Sequence, residues 1–192
     1  MSTVVVSHGY GAHSDSVWFP YLTEQLTALG HRVVVPDLPG TDAPQLDAWR
    51  KALAASVIEA GTPSDIILVG HSIGGVNVLR LLEEHEGEPF AGAVLVSTAA
   101  HEVGYTELAS FFDGPFDWVR IRSAADEFRV LAAADDPVNV PDPVEHVGLL
   151  VRALGATATL TATGGHLGAT PDDHIELPEA VRLVTEIAAV RA

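Results

Sequence analysis

The stretch Asp65–Gly75, reading Asp-Ile-Ile-Leu-Val-Gly-His-Ser-Ile-Gly-Gly, constrains the fold more than any other part of this chain. Its first half is a short apolar run rich in β-branched residues and preceded by Pro63, the pattern of a buried strand. Glycines then crowd around Ser72, and Val76–Glu84 follows with apolar side chains at helical spacing. A strand, Gly-x-Ser-x-Gly and a helix, in that order, predict a sharp turn with a serine at its apex.

The residue types have physical reasons. A serine on such a turn sits in strained backbone with its hydroxyl projecting above the sheet. Gly70 and Gly74 stand two residues to either side, where a β-carbon would collide with the turn, and Gly75 lets the helix approach closely. The helix beginning near Ile73 aims its positive end at the same point, where a developing oxyanion would be stabilised. The plain alternative is a glycine-rich turn capped by Ser72.

Gly-His-Ser-Ile-Gly-Gly resembles the nucleophile elbow of the α/β-hydrolases. The short chain, the opening His8-Gly9-Tyr10-Gly11-Ala12 and the following Trp18-Phe19-Pro20 resemble the small RBBP9/YdeN-type serine hydrolases. The resemblance runs from Val4 to about Val184. It implies a three-layer α/β/α sandwich on a mainly parallel sheet of about six strands, without a large cap domain. It also implies carboxylesterase activity.

A chain of 192 residues suits one domain over 1–192. No apolar run approaches the ~20 residues that span a bilayer. The start, Met-Ser-Thr-Val-Val-Val-Ser-His-Gly, reads as a first strand and not a signal peptide, so a cytoplasmic location is expected. The absence of cysteine excludes disulfides and a cysteine nucleophile. A net charge of −16, with Lys51 the sole lysine, repels nucleic acid and anionic membranes, so neither is an expected partner. The charge would also oppose strongly anionic substrates, unless it serves solubility alone. The expected partner is a small-molecule ester, and the expected state is a monomer or small homo-oligomer.

Strands and helices alternate along the chain without hairpin signals, which argues for a parallel sheet covered on both faces. Strands are expected at Thr3–Ser7, His31–Val35, the elbow run, Phe90–Ser97, Glu127–Ala134 and Ala156–Thr161. Helices are expected over Asp15–Leu29 (with Ser14 or Asp15 as its cap), through Trp49, Leu53 and Val57, after Ser72, over Pro143–Leu154, and from about Leu177 to Val190. Thr98–Arg122 has no clean periodicity.

Nine of the chain's twelve aromatics lie in that segment or just after the first strand, and both segments should leave the carboxyl edge of the sheet. The expectation is that Trp18, Phe111, Phe112 and Trp118 line an apolar substrate pocket. Ordinary packing beneath a loop is the alternative.

A serine hydroxyl needs a base to act as a nucleophile. In the superfamily the chain order is nucleophile, acid, histidine, and three loops that follow predicted strands supply it. Ser72 is the candidate nucleophile. His166, in Gly164-Gly165-His166-Leu167-Gly168, is the candidate base, with His174 as fallback. The acid is Asp136 or its neighbour Asp135, with Asp136 preferred; the other should face solvent or cap the turn. His8 and His71 are expected to shape the site without transferring protons. The resemblance further assigns the oxyanion-binding amides to Tyr10 and Ile73.

No His-Glu-x-x-His, Gly-x-Gly-x-x-Gly after the first strand, or Walker-type loop is present, so no metal and no cofactor is expected. The rival readings are a binding or regulatory protein that keeps the fold, and acyl transfer, thioester hydrolysis or perhydrolysis with the same residues.

Overall fold

The structure is a computed structural model that describes residues 1–170 and 173–190. Among the described residues twelve main elements alternate strictly between strand and helix, with two 3-10 stretches, Pro63–Asp65 and Thr106–Phe112, between them. They are β1 (Thr3–Ser7), α1 (Phe19–Ala28), β2 (Arg32–Val34), α2 (Leu46–Ala60), β3 (Ile66–His71), α3 (Ile73–Glu84), β4 (Gly92–Val96), α4 (Trp118–Ser123), β5 (Phe128–Ala133), α5 (Pro143–Leu154), β6 (Thr157–Thr161) and α6 (Pro178–Val190). The sheet order is β2-β1-β3-β4-β5-β6, and every neighbouring pair is parallel.

Because side chains alternate across a strand, the near-continuous apolar strands feed two cores at once. Val4, Val6, Ile67, Val69, Val94, Val96, Leu131 and Ala133 join Leu22 and Leu26 of α1 and Leu183, Val184 and Ile187 of α6 on one face. Val5, Ile66, Leu68, Ala93, Leu95, Val130 and Ala132 turn the other way, onto Leu53, Leu79, Leu82, Ile121 and Leu150 from α2 to α5. A third cluster, with Leu38, Trp49, Ile73, Val76, Leu108 and Phe111, lies beyond the carboxyl end of the sheet. The 3-10 stretch Thr106–Phe112 belongs to it.

The order of strands reverses between β1 and β3, since the chain goes from β1 outward to β2 and then returns to the other side of β1. Loops leaving two such strands diverge and open a crevice at their carboxyl ends. Ser72 follows β3 and His8-Gly9-Tyr10 follows β1, so the topology alone brings them to that crevice.

Most expected elements match to within a residue or two, and α5 has the expected bounds because Asp142 caps it through the Val144 amide and Gly155 ends it in the left-handed region. The first helix is shorter than expected. It starts at Phe19, and Ser14 and Asp15 do not cap it. The polar residues ahead of it satisfy one another instead: the His13 amide donates to Ser16 Oγ at 2.9 Å and the Ser14 amide to Asp37 Oδ1 at 2.7 Å. Short polar side chains compete in this way for nearby backbone.

Candidate active site

At the end of β3 the backbone of Ser72 is held at φ 56° and ψ −128°, a region that L-residues seldom occupy. Its amide donates to Val96 O at 2.9 Å. The flanking glycines make this turn sterically possible. A β-carbon on Gly74 would lie 2.1 Å from the Ser7 carbonyl oxygen and 2.2 Å from that of His8. One on Gly70 would lie 2.4 Å from Gly75 Cα. Gly74 therefore lets α3 start against the end of β1, which sets the elbow beside the loop after β1.

Ser72 Oγ lies 2.7 Å from His166 Nε2, across 94 residues of chain. His166 Nδ1 lies 2.8 Å from Asp136 Oδ2 and 3.0 Å from Oδ1. The imidazole and the carboxylate are both buried. With Nδ1 donating to the carboxylate, Nε2 carries the lone pair and accepts from the serine hydroxyl.

Asp136 sits in a socket of donors. Its Oδ1 accepts the Val138 amide at 2.9 Å, and its Oδ2 accepts Asn139 Nδ2 at 3.1 Å, while the same Nδ2 also donates to Ser97 O at 3.0 Å. Burial works to raise the carboxyl's pKa. The bond and charge of His166 and the amides of Val138 and Asn139 outweigh it, and the net shift is downward. Asp135 turns away and accepts the Gly165 amide at 2.8 Å, pinning the loop that carries His166. The two carboxylates thus divide the work: one faces the imidazole, the other its backbone.

Two further residues hold the histidine loop. Trp18 Nε1 donates to Leu167 O at 2.8 Å, and His71 Nε2 donates to His166 O at 3.1 Å. His71 is buried among Trp18, Phe19 and His166. Burial first, then the nearby His166, push its pKa down to about 3, so it is neutral and bridges without competing for the serine proton. His8 is likewise shifted down by burial; its Nε2 accepts the Leu38 amide at 2.9 Å and braces the loop after β1.

The amides of Gly11 and Ala12 are bonded to Thr41 O and Gly9 O. The Ile73 amide, next in the chain after Ser72, opens the first turn of α3.

A cleft of about 380 Å³ opens over Ser72 and His166. Its apolar walls are Tyr10, Ala12, Tyr105, Leu108, Val138 and Ala169, and Glu107 is its one carboxylate among the described lining residues. This corrects the expected pocket. Trp18 and Phe111 have no exposed surface and belong to the cores, Phe112 packs against the cluster around Phe111, and Trp118 packs against the core under α4. Both segments reach the cleft, but the largest aromatics are drawn into the interior, where they bury most area. Smaller neighbours meet the substrate space. His174 does not approach Ser72; its Nδ1 lies against Asp173.

Sequence reasoning did not single out Asn139, nor the bridges made by Trp18 and His71. The Asn139 contact has a faint signal in the spacing of Asp136 and Asn139, three apart at a strand end. The other two join residues 149 and 95 positions apart and leave no local trace.

Residues 4–186 match the family model described as serine hydrolase. YdeN of Bacillus subtilis is 32% identical over 165 residues, covering 85% of this chain and 84% of that one. The crystal structure of the B. subtilis ydeN gene product superposes with a TM-score of 0.90 at 27% identity, over 98% of this chain and 100% of that chain. Est1E from Butyrivibrio proteoclasticus, solved with ferulic acid bound, shares the fold with a TM-score of 0.78 at 16% identity, over 98% of this chain and 90% of that chain.

Proposed function

The chain belongs to the serine hydrolase family, and on that premise we propose that it cleaves small, neutral, moderately apolar carboxylic esters through an acyl-serine intermediate. The observation that carries this reading is the continuous hydrogen-bonded line from Ser72 Oγ through His166 to Asp136.

Ser72 Oγ attacks the ester carbonyl carbon while its proton passes to His166 Nε2. Asp136 holds Nδ1–H and stabilises the imidazolium. The carbonyl oxygen becomes an oxyanion facing the amides of Tyr10 and Ile73, each such donor lowering the barrier by about 3 kcal/mol. Collapse breaks the C–O bond to the alcohol, which leaves with the proton from Nε2. Water then attacks the acyl-serine, His166 takes its proton, and the acid departs as Ser72 regains its hydrogen.

The cleft supports this substrate class. About 380 Å³ suits a small ester, its walls are mostly apolar, and Glu107 together with the net charge of −16 disfavours anions. The test is a panel of p-nitrophenyl esters of graded acyl length, with product analysis in the presence of added alcohols. Turnover of short neutral esters to free acid is expected. Turnover of none of them by folded protein, or predominant transfer to alcohol, would overturn the reading.

A further inference from the structure

The two edges of the sheet are built differently. β2, at one edge, has three residues, carries an exposed Arg32 and is followed within two residues by Pro36. Short length, charge and proline are the usual defences of an open edge. β6, at the other edge, reads Thr-Ala-Thr-Leu-Thr, and from Gly155 to Thr170 the chain has no Asp, Glu, Lys, Arg or Pro. Thr157 and Ala158 are exposed and Leu160 is 42% exposed. An undefended strand of β-branched and apolar residues is a template for strand addition.

The backbone of β6 is set for it. The Ala134 amide donates to Thr161 O at 2.8 Å, in a ladder that pairs Thr161 with Ala133. In a parallel ladder a residue turns both its N–H and C=O to one neighbour and the next residue turns both the other way. Thr157, Thr159 and Thr161 therefore bond toward β5, and Ala158 and Leu160 present their amides and carbonyls outward.

We propose that β6 is a homodimer interface, with the β6 strands of two copies pairing antiparallel about a two-fold axis at Thr159 and joining the two sheets. A two-fold contact brings a surface onto itself, so the strand must be compatible with its own reverse. This one is. Thr157 falls opposite Thr161, Thr159 opposite Thr159, and Ala158 opposite Leu160, which are the residues with outward backbone groups. Each Ala158–Leu160 pair can then exchange both N–H···O bonds. Threonine pairs suit facing positions, and none of the five strand residues is charged.

Charge favours this edge over others. A chain of net charge −16 repels its own copy across most surfaces. Beside β6 the charges balance instead: Arg129, the ladder partner of Thr157, is paired with Glu127 at 2.6 Å, and Arg182, whose Nη2 donates to Thr159 Oγ1 at 3.2 Å, is paired with Glu186.

Sedimentation equilibrium of the purified chain, into the high micromolar range and at low and high salt, tests the proposal. The expected result is twice the mass of a single chain, with association tightening as salt screens the net repulsion. Ala158→Pro removes an outward N–H that the monomer's ladder does not use, and Leu160→Lys places a charge at the centre of the pairing. Both are expected to sediment as monomers with the wild-type circular dichroism spectrum. Should Ala158→Pro fail to fold, Leu160→Lys alone decides. A wild type that stays monomeric throughout, or a folded Leu160→Lys that dimerises as tightly as wild type, would overturn the proposal.

Discussion

Exchanging each acid of the Asp135-Asp136 pair for asparagine separates their roles. In Asp136→Asn, one carboxylate oxygen becomes an NH₂ in a socket that offers only donors. If the NH₂ replaces Oδ1 it meets the fixed Val138 amide, 2.9 Å away, and if it replaces Oδ2 it meets Asn139 Nδ2 and His166 Nδ1, 3.1 and 2.8 Å away. Asn139 cannot turn to oblige, because its Nδ2 is also committed to Ser97 O. The second arrangement costs less, since it spares the backbone, and it makes Nδ1 an acceptor. The proton then moves to Nε2, and His166 can no longer accept from Ser72. Loss of the correct tautomer together with the negative charge predicts a fall in kcat of about 10⁴-fold, equivalent to about 5.4 kcal/mol of transition-state stabilisation. Asp135→Asn keeps an acceptor for the Gly165 amide and is expected to change kcat by no more than about 5-fold, the scale of one weakened hydrogen bond of about 1 kcal/mol. The assay is steady-state hydrolysis of p-nitrophenyl acetate by both variants, with thermal melts showing that each is folded. Comparable losses in the two variants, or a larger loss in Asp135→Asn, would refute the reasoning.

Burial holds His71 near a pKa of about 3, and a histidine depressed in this way binds fewer protons folded than unfolded below about pH 6.5. Its contribution to stability is complete above that pH and declines by up to about 1.4 kcal/mol per unit as pH falls toward 3. Urea midpoints should therefore drop between pH 7 and 5, less steeply in His71→Gln; a flat wild-type profile would contradict this. Gly74→Ala forces a β-carbon onto two carbonyl oxygens of the strand-end backbone and should cost at least about 3 kcal/mol or abolish soluble expression, as read by thermal melting; a wild-type melt would show that the elbow is looser than described. Trp18→Phe deletes the bond to Leu167 O and should cost about 1–2 kcal/mol by urea denaturation, with a fall in kcat as the His166 loop loosens; unchanged stability would refute the bridge. Trp118→Ala should leave the preference across ester chain lengths unchanged, whereas Leu108→Ala should shift it toward longer acyl groups; the opposite pattern would restore the aromatic pocket.

The sequence carried the parts of this fold that are written in short windows. The β-branched runs of β1, β3 and β4, the glycines about Ser72, and Asp142-Pro143 before α5 each declare themselves within a few residues, and the alternation of strand and helix then leaves few topologies. That Ser72, Asp136 and His166 come together was legible for the same reason, each in the loop after a strand on one edge of a parallel sheet. What escaped depends on side chains meeting across the fold. Whether Trp18 faces a cleft or a core is decided by α6 and the His166 loop, neither of which is near it in sequence. The division of labour between Asp135 and Asp136 turns on the Gly165 amide, 30 residues away. The early polar residues His13 to Ser16 misled as a helix start because their local bonds form a turn of equal appeal.

The central claim is that Ser72 is a nucleophile activated by His166. Reaction of the folded protein with a fluorophosphonate, followed by intact-mass and peptide mapping, tests it most directly. The account predicts one adduct per chain on Ser72, none in Ser72→Ala, and much slower labelling in His166→Ala. A folded wild type that takes no label, or labelling that persists in Ser72→Ala, would contradict it.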